Sequence, residues 1–462
     1  MYESCLKASC DPWFPVDAVP WHVGSRHDVV TRAKLAVSRA GREGKQAVKE
    51  ICPRLVNWIA DASILRAAWD CLAAKGETAP GPNGRRYEDL DDAETWELLR
   101  SIGAAIREGT YKVGRERHVQ IPKDRANPSR GYRTLTLLNI KDRVVQRAAV
   151  EILQPLLDPM FGRNVLGYRP GRGRLHALAL AEREALAGNR FVFLAEDIKD
   201  AFDQVPLNRL LDVLVKHVPS PDLRNLVNTL LATGKTHGIR QGGPLSPLLL
   251  NLYLHHFLDE PWRREHAETP LIRVADDLLA LCRSRKEAAQ ARAKLEALLK
   301  PAGMPLKGTR DGSIHDLRKG EVVDWLGFEI GKGEQGLETR IANKAWSRLA
   351  EYLHLAHEKP NAPLRAVATI NGWIEQMGPC YPFVTRGTVY RRVAKLAAEQ
   401  AFDEIPSRDA IMARWKRAYE RWQDIQDEIR KRPEALDSRW APPATATTQK
   451  SAAAAGAELL WE

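Results

Sequence analysis

Pro270-Leu-Ile-Arg-Val-Ala-Asp-Asp-Leu-Leu-Ala-Leu-Cys282 is the stretch on which the reading of this chain turns. Two short apolar runs flank Asp276-Asp277, the pattern of two buried strands joined by a tight turn. Ionised carboxylates are rarely buried unless they are paired or bind a metal. Asp is also a common turn residue, so the stretch alone reads equally as an exposed hairpin. A second site shifts the balance. Phe191-Val-Phe-Leu-Ala-Glu-Asp-Ile198 is another apolar run that ends in acid, and Asp197 sits where it breaks. Three carboxylates at strand ends suit two divalent cations held about 3.5–4 Å apart.

Between these sites lies Gln241-Gly-Gly-Pro-Leu-Ser-Pro-Leu-Leu-Leu-Asn-Leu-Tyr-Leu254. Ser246-Pro247 has the form of a helix start, Ser as N-cap and Pro first in the helix. Gly242 and Gly243 let backbone approach a base pair or sugar closely. The order of the three blocks, and the wording of this one, resembles the palm of a reverse transcriptase. The likeness is to the bacterial group II intron-like branch. It implies an α+β right-hand polymerase: fingers and palm around a small antiparallel sheet, followed by an α-helical thumb. Residues 1–60 would be an N-terminal extension, 61–180 fingers, 181–335 palm, 336–435 thumb and 436–462 a disordered tail.

Other blocks extend the resemblance. Val119-Gln-Ile-Pro-Lys123, Gly131-Tyr-Arg-Thr134 and Asp142-Arg-Val-Val-Gln146 resemble the first reverse transcriptase block, with Thr134 where the family usually has Pro. Gly167-Tyr-Arg-Pro-Gly-Arg172 resembles the second. Gly303-Met-Pro-Leu-Lys-Gly308 resembles a shortened fourth, whose family Lys corresponds to Lys307 or Arg310. Trp325-Leu-Gly-Phe-Glu-Ile330 resembles the primer-grip hairpin that closes the palm.

The resemblance implies roles by residue. Asp197, Asp276 and Asp277 would be catalytic and hold Mg²⁺, a hard cation suited to oxygen ligands. Lys123, Arg133, Phe202, Gln241 and Gly242 would bind the nucleotide, and Arg169, Arg172, Trp325 and Gly327 the nucleic acid. Guanidinium suits phosphate because its donor fork matches two oxygens, although Arg169 reads equally as a structural pin. Phe202 would clash with a ribose 2′-hydroxyl and so favour deoxynucleotides; as a bare residue it is also an ordinary core aromatic. Asp200 and Asp203 read as solvent-facing or supporting acids. Val274 stands where the family has Tyr or Phe near the primer terminus, which bears on fidelity or primer choice and not on metal binding.

Bulk properties agree. A 462-residue chain of 44% apolar and 28% charged residues is an ordinary globular composition. A formal charge of +11 suits a polyanionic partner. Six scattered cysteines fit a reducing cytoplasm, and no run reaches transmembrane length. Cys5, Cys10, His22 and His27 loosely resemble zinc-finger spacing, but a Pro- and Trp-rich strap reads as well. Residues 61–110 are expected to be helical up to the Ala79-Pro-Gly-Pro-Asn-Gly84 turn cluster. In the helix opening at Asp142, apolar residues at 144, 145, 148, 149, 152, 153, 156 and 157 form a repeating i, i+4 pair, with Pro155 expected to kink or end it. Ile411, Trp415, Ala418, Trp422, Ile425 and Ile429 step like a coiled-coil seam, with packing on the chain's own thumb favoured over a dimer.

The expected activity is RNA-directed DNA synthesis with an RNA template (including a dedicated non-coding RNA), a DNA primer or product and dNTPs, in phage defence, with no membrane partner and no oligomer predicted. The alternatives are an RNA-binding maturase that assists intron splicing and a catalytically dead scaffold. The three aspartates oppose the last, and the lack of a His/Cys nuclease cluster after Cys282 favours a stand-alone polymerase.

Overall fold

The computed structural model describes residues 27–74, 80–122, 131–232, 236–309, 312–334, 336–357, 361–434 and 436. Its central sheet is antiparallel, in the order β4 (Leu271–Val274), β5 (Asp277–Cys282), β3 (Val192–Asp197), β6 (Ile314–Asp316). Side chains on a strand alternate between faces, and both faces here are buried. Val192, Leu194, Leu278, Ala280 and Cys282 enter one core. Phe193, Ile272, Val274, Leu279 and Leu281 enter a second. This double burial explains the near-continuous apolar runs in the sequence, and it fixes register, because a one-residue slip would exchange the two sets.

The first core gathers α1 (His27–Glu43), α2 (Lys45–Ile59), α3 (Ala62–Ala74) and α4 (Asp92–Arg107) around α5 (Ile140–Leu157). It continues under the sheet to α7 (Ala201–Gln204), α8 (Leu207–His217), α9 (Pro221–Leu231), α10 (Ser246–Leu254), α11 (Glu260–Glu265) and α12 (Arg285–Ala302). The eight paired apolar positions of α5 are all buried, and α5 ends two residues after Pro155. Within the N-terminal extension, helices α1 and α2 place Val30, Val37, Leu55 and Ile59 in the core. Cys5, Cys10 and His22 lie outside the described residues, and His27 opens α1. The helical stretch expected from residue 61 is interrupted between α3 and α4, where Asp91 and Glu94 form a capping box. Ser246 is the first residue of α10 rather than its cap, with Pro247 second. β1 (Arg117–Pro122) and β2 (Tyr132–Leu137) form the expected hairpin.

The second core joins α6 (Arg174–Gly188) and the sheet β7 (Val323–Trp325), β8 (Phe328–Lys332), β9 (Leu337–Ile341) to α13 (Asn343–Ala356), α14 (Ala362–Gln376), α15 (Arg386–Glu399) and α16 (Arg408–Lys431). The C-terminal helical part therefore begins at Asn343, since residue 336 precedes a strand of this sheet. Ile411, Trp415, Ala418, Trp422 and Ile429 are buried along α16, which packs on α6 and α14, so the seam serves the chain itself. Leu436, expected in a disordered tail, is fully buried. No helix among the described residues is long and apolar enough to cross a membrane.

Candidate active site

Register brings the acids together. Asp197 on β3 lies directly across from Asp277 on β5, at the end of the ladder. The same parity that sends Phe193 and Leu279 to the second core sends Asp197 and Asp277 to that face. Asp276 occupies the two-residue turn between Val274 and Asp277, which are themselves paired. In that turn Ala275 has φ +58° and Asp276 is not left-handed, the II′ pattern in which Gly is usual at the first position. The turn therefore holds strain, and its surroundings hold the turn.

Arg273, 1% exposed, is the main support. Its Nε and Nη2 donate to the two oxygens of Asp259 at 2.9 and 2.5 Å, and its Nη1 donates to Asn251 Oδ1 and to the Ala275 carbonyl, both at 2.9 Å. Asp259 closes a π-helical turn, His255–Asp259, that follows α10. Such turns redirect side chains at functional sites. Asn251 in turn donates through Nδ2 to the Gly167 carbonyl at 2.8 Å. Gly167 is packed so closely that a Cβ there would meet the Ala275 nitrogen at 2.2 Å. Sequence reasoning missed Arg273, Asn251 and Asp259. A lone cation inside the apolar run Leu271-Ile-Arg-Val274 was the available signal, because charges are seldom buried unpaired.

Beyond Asp197 the chain runs beside residues 305–307, with Lys199 N donating to the Pro305 carbonyl at 2.9 Å and Lys307 N to the Asp197 carbonyl at 2.8 Å. This places Lys307 Nζ 2.8 Å from Asp197 Oδ2. Arg310, the other candidate for that role, lies outside the described residues. Burial, then Asp277 and Asp197, raise the Asp276 pKa to about 7. Burial, then Asp197, raise Asp277 to about 6, against the lowering influence of Lys344 and Arg348 on α13 and of Lys307. The site thus holds more negative charge than its own cations neutralise. Among the described residues no group of three or more His, Cys, Asp or Glu side chains is gathered closely enough to hold a metal ion as it stands. The donor set is nonetheless all carboxylate oxygen and short of positive charge, which fits a hard divalent cation.

The other expected site residues divide. Phe202, on α7, is half-buried and meets the Tyr168 ring edge-on at 6.1 Å. Gln241 donates through Nε2 to Asp203 Oδ2 at 3.3 Å, and its carbonyl accepts from Thr136 N at 2.8 Å. Gly242, φ +105°, is needed because a Cβ would lie 2.8 Å from the Thr136 carbonyl; its close approach is to β2. Arg133 is half-buried, and its Nε has no hydrogen-bond partner among the described residues. Lys123 lies outside the described residues.

Four expectations for nucleic-acid contact are corrected or changed. Arg169 is 1% exposed, and its five N–H groups meet Asp158 Oδ1 and Oδ2 and the carbonyls of Asp158, Gly162 and Val165. It is the structural pin. Arg172 is also buried, donating to Asp158, Pro170 and the Leu436 carbonyl. Trp325 is 3% exposed within the second core, with no room to meet a nucleic acid. Gly327, φ +84°, shares the β7–β8 turn with Leu326, φ +56°, and is tied through its carbonyl to Ala342 N. Val274 is fully buried, so the exchange for an aromatic changes the second core beneath the aspartates.

Residues 121–330, which hold the whole aspartate site, match the family described as reverse transcriptase (RNA-dependent DNA polymerase). The chain carries a reverse transcriptase domain. It is similar to the group II intron-encoded protein LtrA of Lactococcus lactis subsp. cremoris, 28% identical over 229 residues, 47% of this chain and 37% of the relative. Protein YkfC of Escherichia coli (strain K12) is 26% identical over 213 residues, 43% of this chain and 53% of that protein. The mitochondrial nuclear intron maturase 4 of Arabidopsis thaliana is 24% identical over 235 residues, 47% and 27%. The match with LtrA therefore spans well under half of that relative's length.

Proposed function

We propose that this protein is an RNA-directed DNA polymerase that extends a primer by nucleotidyl transfer at Asp197, Asp276 and Asp277. The observation that carries the reading is the cross-strand register of Asp197 with Asp277, with Asp276 on the adjoining turn. These three would hold Mg²⁺, which supplies Lewis-acid stabilisation of charge on the transferred phosphoryl group and lowers the pKa of the primer hydroxyl. The remaining work falls to the protein. Arg273 fixes the turn, so the Asp276 and Asp277 carboxylates are aimed before substrate arrives. Lys307 balances Asp197, and Lys344 and Arg348 add positive field on the same face. Arg133, half-buried on β2, would turn its guanidinium toward a triphosphate oxygen. Phe202 stands at the sugar edge of the nucleotide.

Primer extension on an RNA template with dNTPs and Mg²⁺ tests the reading, comparing wild type with Asp276→Ala/Asp277→Ala. Extension by wild type alone supports it. Extension by neither, on several templates and with co-purifying RNA, removes it. Maturase function is the second reading, favoured by the names of the intron-encoded relatives. It predicts splicing of a cognate intron RNA that survives the aspartate substitutions. The phage-defence setting predicts plaque counts that rise when the same aspartates are replaced. A non-coding RNA partner predicts a discrete RNA that co-purifies with the chain.

A further inference from the structure

Tyr168 is a bulky residue in the left-handed region, at φ +56°. That conformation is costly for a side chain with a Cβ and persists only where the surroundings over-determine it. Both neighbours do so. On one side, Gly167 lies against the Ala275 backbone and gives its carbonyl to Asn251. On the other, Arg169 is bolted to Asp158 and three carbonyls. Tyr168 is therefore a strained link between the aspartate turn and a buried arginine anchor.

Its ring ends on Phe202. The two are perpendicular, 79° between planes with centroids 6.1 Å apart, the favoured edge-to-face form. Phe202 needs such a contact. It sits on a four-residue helix, half-buried, with its backbone carbonyl held by Ile239 N at 2.8 Å. A ring that excludes a single hydroxyl must be rigid, since a small rotation would admit it.

This inference rests on the polymerase reading above. We propose that Tyr168 is a positioning residue that holds the Phe202 ring at the sugar edge of the nucleotide site, so that it sets, together with Phe202, the discrimination between deoxynucleotides and ribonucleotides. Because Tyr168 is continuous with the backbone packed on the Asp276 turn, the gate and the reacting centre share one frame.

The test is single-nucleotide incorporation with dCTP and with CTP, reading kcat and KM separately for wild type, Tyr168→Ala, Tyr168→Phe, Phe202→Ala and the Tyr168→Ala/Phe202→Ala double variant. Tyr168→Ala is expected to lower the dCTP:CTP ratio of kcat/KM by about 3- to 10-fold, the range of one aromatic pair. Tyr168→Phe keeps the ring and stays near the wild-type ratio. In the Phe202→Ala background Tyr168→Ala changes the ratio no further, because the ring it positions is gone. An unchanged ratio with a lower rate for both nucleotides overturns the proposal, as does an additive effect in the double variant. If Tyr168→Ala does not fold, Tyr168→Leu carries the same comparison. Wild type that incorporates neither nucleotide removes the polymerase reading, and this inference with it. That outcome is distinct from a working polymerase whose selectivity ignores Tyr168.

Discussion

Two groups of acids lie near Arg273 and are treated oppositely. Asp259, half-buried, meets both arms of the buried Arg273 guanidinium, one negative charge to one positive. Asp276 and Asp277 meet each other and Asp197, and of the three only Asp197 has a salt-bridge partner among the described residues. The fold neutralises the acid that supports the turn and leaves the acids on the turn in surplus. Like charges facing each other at the end of a ladder weaken the sheet, so the arrangement makes sense only if something else takes up the charge. Structure is kept at Asp259, and binding capacity at the turn.

The largest expected effect separates these roles. Asp276→Ala or Asp277→Ala should take primer extension below detection while thermal melting of the metal-free protein stays level or rises, since a repulsion has been removed. A fall in melting temperature with partial activity would reverse the assignment. The converse change is Arg273→Met. Breaking a buried pair strands a charge and costs about 3–5 kcal/mol. Urea unfolding should show that loss. Arg273→Lys should not restore it, because an ammonium cannot serve Asp259 in bidentate fashion and also reach Asn251 and Ala275.

The same contrast governs pH. Asp276 and Asp277 have folded pKa values of about 7 and about 6, above the ordinary 3.8. The folded protein therefore binds more protons than the unfolded chain between those limits. Their stabilising contribution is present at low pH and is lost as pH rises through the folded values. In EDTA, the melting temperature should decline from about pH 4 to about pH 7, and Asp277→Asn should flatten the decline. A divalent cation should do so as well, by binding the ionised folded form. A flat profile in wild type would mean that neither burial nor the neighbouring carboxylates raises these two pKa values.

How much of this was legible in the sequence follows from the same physics. The aspartates announced themselves because apolar runs of strand length break off in acid, and register then brings those strand ends together. Apolar runs of strand length also carried the central sheet, and the i, i+4 pairs of α5 carried the most fully buried helix of the first core. Arginine roles did not follow. Arg169, Arg172 and Arg273 are buried and serve carbonyls and carboxylates, while Arg133 is half-buried with a buried Nε that meets no partner among the described residues, and nothing local in the sequence tells the four apart. Whether a guanidinium is spent on the fold depends on carbonyls brought from distant parts of the chain, such as Leu436 for Arg172, and no local pattern encodes that. Trp325 escapes for a related reason: an aromatic beside a Gly turn reads the same whether it faces core or solvent.

The smallest expected effect concerns cations that the sequence left unmarked. Lys344 and Arg348 are one turn apart on α13, both influence Asp277, and neither has a salt-bridge partner among the described residues. They differ from Arg273 as the turn acids differ from Asp259: charge left over rather than charge matched. If that surplus serves nucleic acid, Lys344→Ala/Arg348→Ala should weaken binding of a template–primer duplex severalfold and uniformly across sequences. The slope of log affinity against log salt should fall by about 2, one for each phosphate no longer neutralised. Fluorescence anisotropy across a salt series measures both. A double variant that alters the pH profile of melting but leaves the salt slope untouched would assign the pair to Asp277 alone. The surplus on α13 would then balance the turn acids, and the phosphate track would lie elsewhere.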